Sequence, residues 1–138
     1  MDKKEKLKYI ANSIQDTMIS TLGIEITDLG KDFVCGKMPV DARTIQSVGI
    51  LHGGASVTLA ESLGSIAGSM QINSEEEMVV GIEINANHLQ AIQQGWVYGR
   101  ASSIKIGKRI QVWEIRITDE ANKPVCISRL TLAVIAKR

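Results

Sequence analysis

Cysteine and histidine are almost missing from this chain. Cys35 and Cys126 stand far apart with no second pair near either, which fits neither a metal cluster nor a disulfide framework and suits reduced thiols in the cytoplasm. The histidines are no better placed for a metal: His52 and Glu61 are nine residues apart and His88 lies on a later segment, unlike any compact ligand motif. No metal and no cofactor is expected. An excess of either charge is missing too. Sixteen basic against fifteen acidic residues leave a formal net charge of +1, which gives no field for holding nucleic acid or an anionic membrane surface. No apolar run approaches the ~20 residues of a membrane span. The charged N-terminus is followed by neither an apolar h-region nor a small-residue cleavage site, so no secretory signal is read there. With no Gly-x-Ser-x-Gly elbow and no Cys/His signature, a serine- or cysteine-type hydrolase is disfavoured. Repeats, linkers and low-complexity tracts are also absent, and 138 residues at 44% hydrophobic suit one domain, 1–138, with a real core.

What is present is periodicity. Leu7, Ile10, Ala11, Ile14, Met18 and Leu22 recur at three- and four-residue steps among charges, which predicts one amphipathic helix over residues 3–22, closed by Gly23. Residues 24–29 and 33–38 read as a hairpin around Gly30-Lys31-Asp32, whose glycine permits a positive φ. Residues 39–49 read as a loop. Residues 53–70 make the most apolar helix of the chain, roughly 27 Å long at ~1.5 Å per residue. Its Gly64, Ser65, Gly68 and Ser69 are poor helix formers with small side chains, so tight packing against a sheet is expected, with protein all but wrapping the helix. Four stretches rich in Val, Ile and Thr follow, at 78–91, 96–106, 109–119 and 125–136. Short turns at 93–95, 107–108 and 120–124 make them a run of consecutive antiparallel strands. The fold class is α+β, an antiparallel sheet wrapped around one long helix.

Within that apolar helix only Glu61 is ionisable, and a carboxylate in apolar surroundings is costly unless paired, hydrogen-bonded or neutralised. It could sit on a solvent face or it could be catalytic; helix position alone leaves both open. Ser65 stands at i+4, on the same face, where its hydroxyl could orient the carboxylate or a water. Upstream, His52-Gly53-Gly54 leads into the helix N-terminus, where unpaired N–H groups and the positive end of the macrodipole suit a carbonyl that becomes an oxyanion. A tight turn with a capping His52 is the plainer alternative. Gln46, in the preceding loop, offers an amide N–H to the same carbonyl. Gly53 and Glu61, eight residues apart, lie about 12 Å apart along a straight helix, so both cannot touch one reacting carbon. If both act, they come from different subunits and the site falls at a two-fold interface. Lys105, Lys108 and Arg109 place three cations around a turn that suits nucleotide phosphates, or else forms a solvated basic hairpin.

The segment from Gly49 through His52-Gly53-Gly54 and Glu61 to Ser65 resembles the hotdog-fold thioesterases of the phenylacetate and 4-hydroxybenzoyl-CoA type. The resemblance covers nearly the whole chain, through Val79–His88 and Gly107–Trp113 to Ser128-Arg129-Leu130-Thr131, and looks closest to the bacterial 1,4-dihydroxy-2-naphthoyl-CoA thioesterases of menaquinone synthesis. It implies hydrolysis of an acyl-CoA thioester, with an aromatic acyl group foremost. In such enzymes the counterpart of Glu61 is nucleophile or general base, the Gly53 N–H polarises the carbonyl with help from Gln46, and Ser65 and His52 orient the acid and the loop. The resemblance also implies that His88, Leu89, Gln90 and Ala91 line the pantetheine channel together with Gly81. By the same token Lys105, Ile106, Gly107, Lys108, Arg109 and Ile110 meet the CoA nucleotide. A homo-oligomer is implied, a dimer of dimers, with an acyl-CoA as the small-molecule partner. One departure is visible: Ser47-Val48 follows Gln46 where close relatives often carry a Pro-aromatic pair, which bears on the shape of the acyl pocket.

Two other classes use the same fold. An enoyl-thioester hydratase or dehydratase would also use a carboxylate or histidine on the central helix. A non-catalytic acyl-CoA-binding protein of the regulator type would carry a DNA-binding head, for which the residues before Gly23 are too few.

Overall fold

A computed structural model describes all 138 residues. In chain order the elements are α1 (Lys3–Ser13), α2 (Met18–Thr21), β1 (Glu25–Leu29), β2 (Phe33–Val40), α3 (Gly53–Ser69), β3 (Glu77–His88), β4 (Gly95–Ile106), β5 (Ile110–Thr118) and β6 (Pro124–Ala136). The six strands form one sheet, in the order β1-β2-β4-β5-β6-β3, and every neighbouring pair is antiparallel. The sheet curls around α3, which is the α+β hotdog arrangement. No helix is long and apolar enough to cross a membrane.

Alternation along the strands builds the inner face. Val34 and Met38 of β2, Val97 and Ala101 of β4, Trp113, Ile115 and Ile117 of β5, and Leu130 and Leu132 of β6 are fully buried. Against them α3 sets Leu59, Ala60, Leu63 and Ala67, also fully buried. Each such leucine contributes about 2 kcal/mol by leaving water. Two glycines one turn apart bring the helix down onto β6: a Cβ at Gly64 would stand 2.5 Å from Leu130, and one at Gly68 2.4 Å from Leu132. Ser65 and Ser69 do not share that role. They turn to the opposite side, into a cavity that also holds Glu61, so α3 is covered on one side and open on the other.

The observed elements differ from the expected ones in four places. The helix expected over 3–22 is two: Asp16 takes a left-handed φ of 60° and Thr17 caps a new helix, its Oγ1 accepting from the Ile19 N–H, so the chain turns between Ser13 and Met18. Gly30 has no positive φ; it is small because the Phe33 ring lies where its Cβ would be. β2 runs on through Pro39 to Val40, paired with Trp96 and Gly95. The largest difference is β3, which is not beside β4. It lies at the far edge against β6, so residues 93–95 are no hairpin turn but the end of a crossover from an edge strand to an interior one. Side-chain alternation fixes the face a strand turns inward and is silent on its neighbour.

Candidate active site

The entrance to α3 is built by hydrogen bonds that hold its first turn open. His52 is the N-cap: its Nδ1 accepts from the Gly54 N–H at 2.7 Å, and its own N–H donates to the Thr44 carbonyl at 2.8 Å. The first intrahelical donors, Ala55 and Ser56, bond to the His52 carbonyl. The Gly53 N–H, just after the cap, finds no acceptor within the chain at the positive end of the helix. The preceding loop is closed by a turn in which Gly49 donates to the Gln46 carbonyl with a φ of 86°, while the Gln46 side-chain oxygen accepts from the Val48 N–H. That bond leaves the Gln46 amide NH2 as a free donor in the same loop.

Two helical turns further on, Glu61 is half-buried beside a cavity of about 510 Å³. Thr58, Ser62, Ser65 and Ser69 share the helix face that lines it, and Met18, Ile19, Ile66 and Val79 form the apolar side. Thr58 and Ser69 spend their hydroxyls on carbonyls of α3, at 2.9 and 2.8 Å. Ser65 lines the cavity with Glu61 without bonding to the carboxylate, so its hydroxyl is available to water or substrate. The carboxylate itself rests on β3: a Cβ at Gly81 would stand 2.5 Å from Glu61 Oε2.

The expected residues thus fall into two groups rather than one. At the N-terminal end of α3, the His88 ring lies against Gly53, with Nε2 2.9 Å from where a Gly53 Cβ would sit. Leu89 donates to the Val125 carbonyl at 2.8 Å, and the Leu51 N–H donates to Ile92 at 2.7 Å, tying residues 89–92 to that same end. Gln46, His52, Gly53, His88, Leu89, Gln90 and Ala91 therefore belong together. Glu61, Ser65 and Gly81 form the other group. The basic turn lies at the same end of the sheet as Gly81 but three strands across from it, since Ile106 pairs with Gln111, Gln111 with Leu132, and Leu132 with Gly81. Its Gly107 N–H donates to the Ile110 carbonyl at 2.9 Å, and Lys105, Lys108 and Arg109 are exposed and free of ion pairs. Within one chain Gly81 and His88 do not line a common channel.

Residues unmarked in the sequence also hold the site. Asp119 fixes the segment after β3: its carboxylate accepts from the Gln90 amide at 2.7 Å and from the Ala121 and Lys123 N–H groups at 2.9 Å. The Lys123 N–H first, then Gln90 and Ala121, hold this carboxyl below the usual carboxylate range, against a smaller desolvation effect. An Asp followed by a short turn was the signal that could have marked it. Met18, Ile19 and Val79 enter through tertiary packing, which helical periodicity does not carry.

A hotdog sheet with a carboxylate beside a cavity on its helix and an unsatisfied N–H at the helix start is an arrangement suited to acting on a thioester, and similar proteins narrow the class. The thioesterase superfamily pattern matches residues 48–126. The chain is 52% identical over 129 residues to a putative esterase of Haemophilus influenzae, covering 94% of this chain and 93% of that one. It is 46% identical over 121 residues to the 1,4-dihydroxy-2-naphthoyl-CoA hydrolase of Escherichia coli, covering 88% of each. A crystal structure of a thioesterase from Haemophilus influenzae is similar at a TM-score of 0.91 and 49% identity, over 94% of this chain and 90% of that one. The chain belongs to the thioesterase superfamily and is a hotdog-fold thioesterase.

Proposed function

We propose that this thioesterase hydrolyses an aromatic acyl-CoA, with 1,4-dihydroxy-2-naphthoyl-CoA as the first candidate, at a site completed by two protomers. The observation that carries this reading is the separation of the two halves. Glu61 and the free Gly53 N–H lie eight residues apart on α3, about 12 Å. A second copy can bring its Gly53 to the first copy's Glu61, and its His88 to the first copy's Gly81. The means of pairing is β3, which has a neighbour on one side only and exposes Met78, Val80 and Ile82. Such an edge is a template for another strand. Exposed Ile104 and Ile135 add apolar surface beyond the edge and support a dimer of dimers.

In this site the thioester carbonyl accepts from the Gly53 N–H and the Gln46 amide, which stabilise the oxyanion that forms as the carbonyl carbon is attacked and that collapses to break the C–S bond. Glu61 either adds to the carbonyl carbon, expelling CoA thiolate and leaving a mixed anhydride for water to open, or takes a proton from water as the water adds. The exposed cations at Lys105, Lys108 and Arg109 are suited to the phosphates of the CoA nucleotide. The relative named for dihydroxynaphthoyl-CoA is 46% identical, which supports the choice of acyl group.

The test combines two inactive variants. Glu61→Gln should lower kcat about 10³-fold. Gly53→Pro removes the N–H at the first helical position, where the backbone accepts proline, while its Cβ displaces the end of the same protomer's His88 ring. Mixing the two after dissociation and reassociation should restore about a quarter of wild-type activity, because half of the dimers are mixed and each has one intact site. No recovery would refute the shared site. Thiol release from dihydroxynaphthoyl-, benzoyl- and hexanoyl-CoA and from one acyl carrier protein thioester assigns the substrate.

A further inference from the structure

The cavity beside Glu61 is not closed by α3 and the sheet alone. Its opposite wall carries Met18 and Ile19 of α2, a helix of four residues between α1 and β1. So short a helix has little stability of its own, yet it is fixed at both ends. At its start Thr17 and Ser20 make a reciprocal capping box: the Ile19 N–H donates to Thr17 Oγ1 at 3.2 Å and the Thr17 N–H to Ser20 Oγ at 3.3 Å. At its end Gly23, with φ of 75°, donates to the Ser20 carbonyl at 3.0 Å, and the Ile24 N–H bonds to the Ile19 carbonyl at 3.2 Å. Ile24 is buried and Ile19 packs on the core, so the bracket is anchored below. Met18 is not. It is 62% exposed while lining the cavity.

We infer that α2 is the wall of the acyl pocket facing the catalytic helix, and that Met18 is a specificity-determining residue touching the acyl group. The inference rests on the reading that the thioester carbonyl sits at Glu61. From there the cavity runs along α3 as far as Ser69, eight residues or about 12 Å, and only as far as Thr58 in the other direction. An acyl group attached at Glu61 therefore has one long way to go, between a wall on α3 that bears hydroxyls and Ile66 and the apolar wall of Met18, Ile19 and Val79. That shape takes a flat, extended group such as a bicyclic aromatic acyl. The unbranched thioether of Met18 adapts to a ring and gains from sulfur–aromatic contact. Because Met18 is held by no neighbour on its outer side, its size can change without disturbing the core.

The test uses Met18→Trp and Met18→Ala in the full-length enzyme, measuring thiol release from naphthoyl-CoA and from butyryl-CoA. Met18→Trp should lower the naphthoyl-to-butyryl ratio of kcat/KM about tenfold or more, the worth of a few atoms in an apolar pocket. Met18→Ala should move the same ratio by more than twofold, through lost contact or gained room, and both variants should keep the wild-type Tm within a degree or two. If the ratio stays within twofold of wild type in both variants, α2 is not the pocket wall and the inference is overturned. Glu61→Gln separates this from the underlying reading. If that variant keeps full activity on both thioesters, the carbonyl does not sit at Glu61 and the reading fails, whatever Met18 does.

Discussion

The carboxylate of Glu61 rests on the α-carbon of Gly81, so close that a methyl group on Gly81 would stand 2.5 Å from Oε2. Catalytic groups must be held to within an ångström, and a shift of that size can cost about 10²-fold in rate. Gly81→Ala should therefore fold normally, since Glu61 is the flexible partner, and lower kcat by about that factor. A Tm near wild type with full activity would show that the carboxylate has slack the geometry does not suggest.

The two chemical routes proposed for Glu61 can leave different isotopic records. A single turnover in oxygen-18 water that places label in Glu61 establishes the mixed anhydride. Label confined to the product acid fits water adding to the thioester carbon with Glu61 as general base, and equally an anhydride opened at its acyl carbon; trapping of an acyl-enzyme with hydroxylamine separates the two. Mass spectrometry of the peptide bearing Glu61 reads the outcome.

Asp119 links pH to the segment after β3. Its carboxyl is held below the ordinary range by the Lys123 N–H, Gln90 and the Ala121 N–H, so its stabilising effect is present above the unfolded value of about 4 and is lost as pH falls through the lower folded value. Protection factors for hydrogen exchange at Leu89 and Gln90, corrected for the intrinsic rate at each pH, should fall in acid within that window. Asp119→Ala should show the lowered protection at neutral pH and, on the proposal that residues 89–91 bind the pantetheine, a raised KM with kcat little changed.

Gln111 is a polar side chain fully buried between α3 and β5. Its amide donates to the Gly68 carbonyl at 3.2 Å and its oxygen accepts from Trp113 Nε1 at 2.9 Å. Gln111→Leu keeps the bulk and strands the indole N–H without a partner, a cost of about 1–3 kcal/mol. Thermal or denaturant unfolding should register that loss.

What the sequence made legible is what its residues decide locally. The span of α3, the role of Gly64 and Gly68 against the sheet, the β1–β2 hairpin and the isolation of Glu61 from Gly53 all follow from spacings within a few turns. The break at Asp16 was also local: Asp16-Thr17 is a cap signal that the apolar period overrode. The place of β3 was not local. Its pairing with β6 joins Glu77 to Ala136 and His88 to Cys126, partners dozens of residues away that no window contains. For the same reason the sequence named Glu61 and Ser65 but not Met18 and Val79, which reach the cavity from other elements.

The bare side of β3 has a further consequence. Edge strands that stay single are usually blunted by lysine, proline or brevity. This one has twelve residues, no lysine and no proline, and carries methionine, valine and isoleucine to the surface. In the proposed dimer that edge is covered by its own counterpart, so whatever separates the two copies would also uncover a template for other strands.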